Sequence, residues 1–499
     1  MSNIKDEIWC DDLLSRRQDA DILEAFLVRR HEERREAGQT GAYVVNLNAG
    51  WGLGKSFFME RLKRQLEASG HLTAFVNAWR DDSSREPVVA VMHAIEESLK
   101  PHFAVKNGLV KAWNSTKAHG ATIVASMAKG ASRRLAEKYT GQALREIGEF
   151  LDEQDRVPDH LEATLDEVSE KAAARTAAEV TTLLTKFVDD KITDYRARLA
   201  SASQFQSRMR ALLEQLAEKD GVKLPFFVLI DELDRCRPTY AIEMLEQVKH
   251  LFDIDNTVFV VSTDGDQLAH SVRAVYGTGF EGERYLRRFF HRHYQFTPAD
   301  LRKLCDYLFA VNRIDLTKVS TPWEMAPSAL FAGAMDRFDV TLRDAEQCFD
   351  ILRSAITLWD HKTPILLNVI LPMIIFHQRN EPANISAFIH GSTVRLAGDG
   401  NWSTIVDWGD RSGIKQYQVS IDDLNREILT RIDTPIPENI AFHPSSPTNH
   451  YVRNVFAAEF LSLHNNIYRG KGPKSVISEY ANLVRQVGRL TAPDPAPQA

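Results

Sequence analysis

Asn48-Ala-Gly-Trp-Gly-Leu-Gly-Lys-Ser56 is a glycine-rich turn ending in Gly-Lys-Ser, set between the apolar run Tyr43-Val-Val-Asn-Leu47 and the amphipathic stretch Phe57 to Leu66. Strand, turn and helix in that order predict a phosphate cradle, because the turn's N–H groups and the positive end of the helix converge on a polyphosphate. Gly50, Trp51, Gly52, Leu53, Gly54, Lys55, Ser56 and Phe57 are the candidate nucleotide contacts, with Lys55 neutralising the β/γ charge and the Ser56 hydroxyl a Mg2+ ligand. The general pattern starts with Gly six residues before the Lys, where this chain has Ala49. Gly50, Gly52 and Gly54 still allow positive φ and close backbone approach, so the loop tolerates the extra methyl group.

Working outward, Pro225-Phe-Phe-Val-Leu-Ile-Asp-Glu-Leu-Asp-Arg-Cys-Arg-Pro238 sets an apolar run against a cluster of acids. A run apolar on both faces is how a central parallel strand reads. Asp231 at its end is placed to hold Mg2+, and Glu232 to orient or polarise an attacking water, which binding alone would not need. Asp234 and Arg235 read as an ion pair at a helix start or as a face toward a neighbour. A second apolar run, Thr257-Val-Phe-Val-Val-Ser-Thr-Asp264, ends in polar residues. Ser262, Thr263 or Asp264 is a candidate γ-phosphate sensor, and Asp264 is equally a helix N-cap.

These residues resemble the KAP family of P-loop NTPases. Its phosphate loop is matched by Trp51 to Ser56, and its acidic strand end by Asp231 to Pro238, with Glu232 standing where the family has a second Asp. Phe75-Val-Asn-Ala-Trp79 resembles the segment after its second strand, and Asp12-Leu-Leu-Ser-Arg16 its N-terminal entry. The resemblance implies an α/β P-loop NTPase with a parallel sheet of the additional-strand (AAA+/STAND-like) type; a stretch rich in Ala, Glu, Lys, Arg and Leu adds a long helical insert, the helices after the core look like its lid, and a shift in composition marks a C-terminal appendage. The resemblance also implies an ATPase that acts in assemblies, often in bacterial antiphage defence. Arg284-Tyr-Leu-Arg-Arg-Phe-Phe290 resembles the segment before the last core strand, making Arg287 and Arg288 arginine-finger candidates. Thr341-Leu-Arg-Asp-Ala-Glu-Gln-Cys348 resembles a lid motif and makes Arg343 a second nucleotide sensor.

Length and composition agree with several domains: 499 residues exceed one compact core. We expect a helical entry segment over 1–40, a first core part over 41–99, a helical insert over 100–215, a second core part over 216–298, a helical lid over 299–380, and a mixed α/β appendage and tail over 381–499. Strand-like runs are Tyr43 to Leu47, Leu72 to Val76, Phe226 to Ile230, Thr257 to Ser262 and Tyr294 to Phe296. His291 and His293 alternate along a strand and read as satisfied histidines. A formal net charge of -7 argues against a surface that coats nucleic acid throughout. Cys10, Cys236, Cys305 and Cys348 are widely separated and indicate neither disulfides nor a thiolate metal site. The N-terminus lacks an apolar signal region, and a reducing cytoplasm is expected.

The insert opens unusually. Ser98 to Ala136 has no Asp or Glu but carries Lys100, Lys106, Lys111, Lys117, Lys129, Arg133 and Arg134. Family members often place membrane helices here, yet the longest uncharged stretch, Ala118 to Ala128, falls far short of the roughly 20 residues that span a bilayer. Residues 98–136 therefore read as a contact surface for nucleic acid, lipid head groups or an acidic partner, or as a solvated helix face. The expected function is Mg2+-dependent ATP hydrolysis that drives or gates a defence assembly, as a homo-oligomer or with neighbouring proteins. A slow-turnover, nucleotide-gated scaffold and a nucleic-acid-stimulated motor are the alternatives.

Overall fold

The computed structural model describes residues 2–103, 109–118, 177–220, 222–297, 300–391, 402–410, 413–462 and 473–489. The chain divides into two compact units. Met1–Cys10, Arg17–Gly50 and Gly54–Phe296 form the first; Asp11–Arg16, Trp51–Leu53 and Thr297–Ala499 form the second.

Five strands form the sheet of the first unit: β1 (Tyr43–Asn48), β2 (His71–Asn77), β3 (Lys223–Asp231), β4 (Thr257–Thr263) and β5 (Arg292–Tyr294). Their order is β2-β3-β4-β1-β5 and every pairing is parallel. β4 thus lies between the strand that leads into the phosphate loop and the strand that ends in the acids, which is the additional-strand arrangement. Parallel strands covered on both faces need apolar residues throughout, and successive side chains alternate between two cores. Phe227, Leu229, Val258 and Val260 pack with helices α1 (Arg16–Glu36) and α2 (Lys55–Ala68). On the opposite face, Phe226, Val228, Ile230, Phe259 and Val261 meet α3 (Pro87–Phe103), α4 (Ala177–Asp220), α5 (Pro238–His250) and α6 (Gly265–Tyr276). Phe205, Met209 and Leu213 carry the C-terminal half of α4 into that core.

The last strand begins two residues earlier than its sequence suggests. Val45 pairs with Arg292 and Leu47 with Tyr294, and the His291 N–H donates to the Val44 carbonyl at 2.8 Å, which fixes the earlier register. Phe296 then falls beyond the strand, edge-on to Phe58 with ring centroids 5.0 Å apart.

Part of the acid-free stretch is structural. Leu109, Trp113 and Thr116 are buried. Lys117 pairs with Glu96 at 2.6 Å and Lys100 with Glu97, both acids of α3. Lys111 is exposed; Lys106, Lys129, Arg133 and Arg134 lie outside the described residues. Acids that precede the stretch in sequence thus neutralise two of its lysines. Among the described residues no helix is long and apolar enough to cross a membrane.

In the second unit one apolar cluster runs from Leu301 to Val487, with Ile370, Phe376, Trp402, Ile428 and Tyr480 at its centre. The expected boundary at 380/381 falls inside this cluster. Two buried polar contacts lie within it: the Asn368 amide donates to the Asn425 side-chain oxygen at 2.7 Å and the Leu366 N–H to the Tyr480 hydroxyl at 2.9 Å. An antiparallel hairpin pairs Ser403–Asp410 with Gly413–Ser420 in this unit. The expected tail, 491–499, lies outside the described residues.

Candidate nucleotide site

Parallel strands deliver their C-terminal ends to one edge of the sheet, and the loop follows β1 there. Asn48 ends β1, and its side-chain oxygen accepts the Gly265 N–H at 2.8 Å. The Ala49 N–H donates to the Thr263 carbonyl at 3.1 Å. The loop's root is thereby tied to the end of β4. Gly52 and Gly54 lie at φ 76 and 77, the left-handed region that only glycine adopts freely.

Lys55 opens α2. Its ammonium donates to the Ala49 carbonyl at 2.6 Å and the Gly50 carbonyl at 3.4 Å, and Asp234 Oδ2 lies 3.8 Å away. Burial lowers its pKa, while Asp234, Asp264 and Asp231 oppose that effect. Ala49 is a buried part of the loop whose carbonyl holds the lysine. Phe57 turns from the loop, its ring 3.6 Å beneath the Arg61 guanidinium and 6.2 Å from Trp9.

Asp231 ends β3 and is 1% exposed, and its Oδ1 has no hydrogen-bond partner among the described residues. Burial raises its pKa; the Ser56 and Ser262 hydroxyls beside it pull the other way. A buried carboxylate oxygen without a donor, next to a serine hydroxyl, is a donor set that suits a hard cation such as Mg2+. Glu232 follows at φ 60, backbone strain of the kind that persists at functional sites. Its Oε2 accepts the Asn77 amide at 2.9 Å and its Oε1 pairs with the Arg235 guanidinium at 2.6 Å.

Thr263 Oγ1 donates to the Asn46 side-chain oxygen at 2.8 Å, and Asp264 caps α6 by accepting the Asp266 and Gln267 N–H groups. Of the three sensor candidates, Ser262 is the one beside Asp231. His291 Nδ1 accepts the Val44 N–H at 3.0 Å, and His293 Nδ1 lies 3.3 Å from the Asn46 amide. Both histidines serve the strand.

Lys55, Ser56, Asp231 and Glu232 therefore converge at the C-terminal edge of the sheet. Arg287 and Arg288 do not join them. They are exposed, following helix α7 (Gly282–Leu286) and preceding β5, hence toward the opposite edge of a parallel sheet. Arg343 opens α8 (Leu342–Leu358), whose N-terminus is capped by Thr341, and a Cβ on Gly52 would stand 2.8 Å from the Arg343 Cβ.

Three contributors have partners that the sequence does not show. Asn77 and Asp234 acquire their partners only through register and turn geometry. Arg16, whose segment shows only as a motif, is buried, and its guanidinium donates to the Thr297 carbonyl at 2.8 Å and the Leu53 carbonyl at 3.4 Å. Gly52→Ala should weaken nucleotide affinity about tenfold, because positive φ costs a non-glycine residue roughly 1–2 kcal/mol and the new methyl meets Arg343. Titration with a fluorescent nucleotide checks this; unchanged affinity would mean that the loop relaxes without cost.

The KAP family P-loop domain matches residues 36–358. The chain belongs to the KAP family. As a KAP protein it is a nucleotide-binding P-loop NTPase, and the strand order and loop described above are that fold. Among solved structures it is similar to the Aeropyrum pernix ORC2 protein in its ADPNP–ADP complexes, at 11% identity over 95% of this chain and 94% of that chain, with a TM-score of 0.27. No curated protein matches the chain.

Proposed function

We propose that this KAP protein hydrolyses ATP, with Glu232 accepting the proton of the attacking water. The carrying observation is Glu232, its backbone held at φ 60, beside the buried Asp231 at the same edge of the sheet as the phosphate loop. The loop N–H groups and Lys55 bind and orient the phosphates. Ser56 and Asp231 would hold Mg2+, which when bound neutralises charge on the transferring phosphoryl. Glu232 orients the water, and Ser262 beside Asp231 is placed to sense the γ-phosphate. Arg343, packed against Gly52, supplies the second sensor.

Arg287 and Arg288 lie toward the sheet edge away from their own loop, which supports service to a second copy's nucleotide within an oligomer. Defence against phage, by driving or gating a cytoplasmic complex, is the process we favour; it rests on family resemblance. The engagement of both Glu232 oxygens favours a second reading, a scaffold with slow basal turnover. ATP turnover should be measured with Mg2+ and with excess chelator, for the chain alone, with DNA or RNA, and with the proteins encoded beside it. We expect Mg2+-dependent turnover that the chelator abolishes. No turnover under any of these conditions would overturn hydrolysis.

A further inference from the structure

The Arg237 guanidinium grips both Asp82 carboxylate oxygens, at 2.9–3.1 Å, and anchors the start of α5. Arg235 instead projects from the turn Leu233–Arg235 onto Glu232, with 36% of its side chain exposed against 10% for Glu232. Its guanidinium carbon lies 5.5 Å from the ring centroid of Trp79, itself 41% exposed. The cation is thus seated on an aromatic surface at the protein's exterior, while its ion pair reaches inward to the reaction's base.

We propose that Arg235, seated on Trp79, is a positioning residue that acts as a brake on Glu232. The inference rests on Glu232 being the base. Each carboxylate oxygen already has a partner: Oε2 accepts from the neutral Asn77 amide, and Oε1 is ion-paired at 2.6 Å with a guanidinium that is always charged. A charged partner of this kind is the one that a neutral water displaces least readily. In this arrangement Glu232 is held in place, and a water that approaches Oε1 does so beside a cation that keeps its hold on that oxygen. The side chain in control is also the exposed one.

Arg235→Gln should raise basal kcat about two- to fivefold, the scale of an exposed ion pair, with KM for ATP nearly unchanged. Trp79→Ala should raise it less, and Arg235→Lys, which keeps a cation, should return the slow rate. Arg235→Gln combined with Glu232→Gln should be as inactive as Glu232→Gln alone. A fall in kcat in Arg235→Gln, an unaltered kcat, or a rise in KM with a lowered melting temperature would each overturn the brake. The two failures separate: turnover surviving in Glu232→Gln sinks the base assignment, whereas an inactive Glu232→Gln beside an unaccelerated Arg235→Gln sinks the brake alone.

Discussion

Glu232→Gln should bind nucleotide as the native chain does and hydrolyse it roughly 10²–10⁴-fold more slowly, the span expected for loss of a general base. Glutamine keeps the shape of the side chain and an oxygen that can still accept the Asn77 amide, so the turn at φ 60 survives. It cannot take up a proton, and it gives Arg235 no negative charge to pair with. Lys55, Ser56 and Asp231 are untouched, which is why binding persists. Single-turnover and steady-state assays beside a nucleotide titration check the split. A Gln variant with near-native kcat would remove Glu232 from its role.

Lys55→Ala acts on the other half of the cycle and should cut nucleotide affinity by roughly 100-fold or more, as expected for loss of charge-assisted bonds to phosphate. The ammonium is the loop's own cation, 2.6 Å from the Ala49 carbonyl and 3.8 Å from Asp234. Removing it also leaves the Asp234 carboxylate without that counter-charge in a buried setting, so circular dichroism must confirm folding before affinity is read. Folded Lys55→Ala that binds ATP normally would refute the phosphate assignment.

The contiguous features were legible in the sequence. Asn48 to Ser56 and Asp231-Glu232 are short, and their roles follow from position at a strand end and a helix start. Asn46 and Asn77 were not legible, because a polar residue in an apolar strand acquires meaning only from its register partner: Asn77 stands opposite Asp231, and Asn46 reaches Thr263 across the β1–β4 pairing. Asp234 and Arg235, adjacent and of opposite sign, suggested a pair, but the turn at Leu233–Arg235 directs one toward Lys55 and the other to Glu232. The short β5 was misplaced because three residues offer little pattern, and the bond from His291 to Val44 decides its start. The second unit was read least well. Compositional breaks near residue 380 mark turns, whereas the packing is set by helices on both sides sharing one cluster.

The strand order also sets a timetable for folding. Among the described residues β1 pairs with β4 and β5 alone, which begin at Thr257 and Arg292. At about 5–20 residues per second, the ribosome needs roughly ten to forty seconds after β1 emerges to deliver its partners. For that time Tyr43–Asn48 is an apolar strand with two open edges, the form most prone to pairing with the wrong chain. Such distant pairings are also slow to form once available. The phosphate loop therefore takes shape late, and a nascent chain released before β4 would carry the whole Gly-Lys-Ser motif yet have no sheet to hold it.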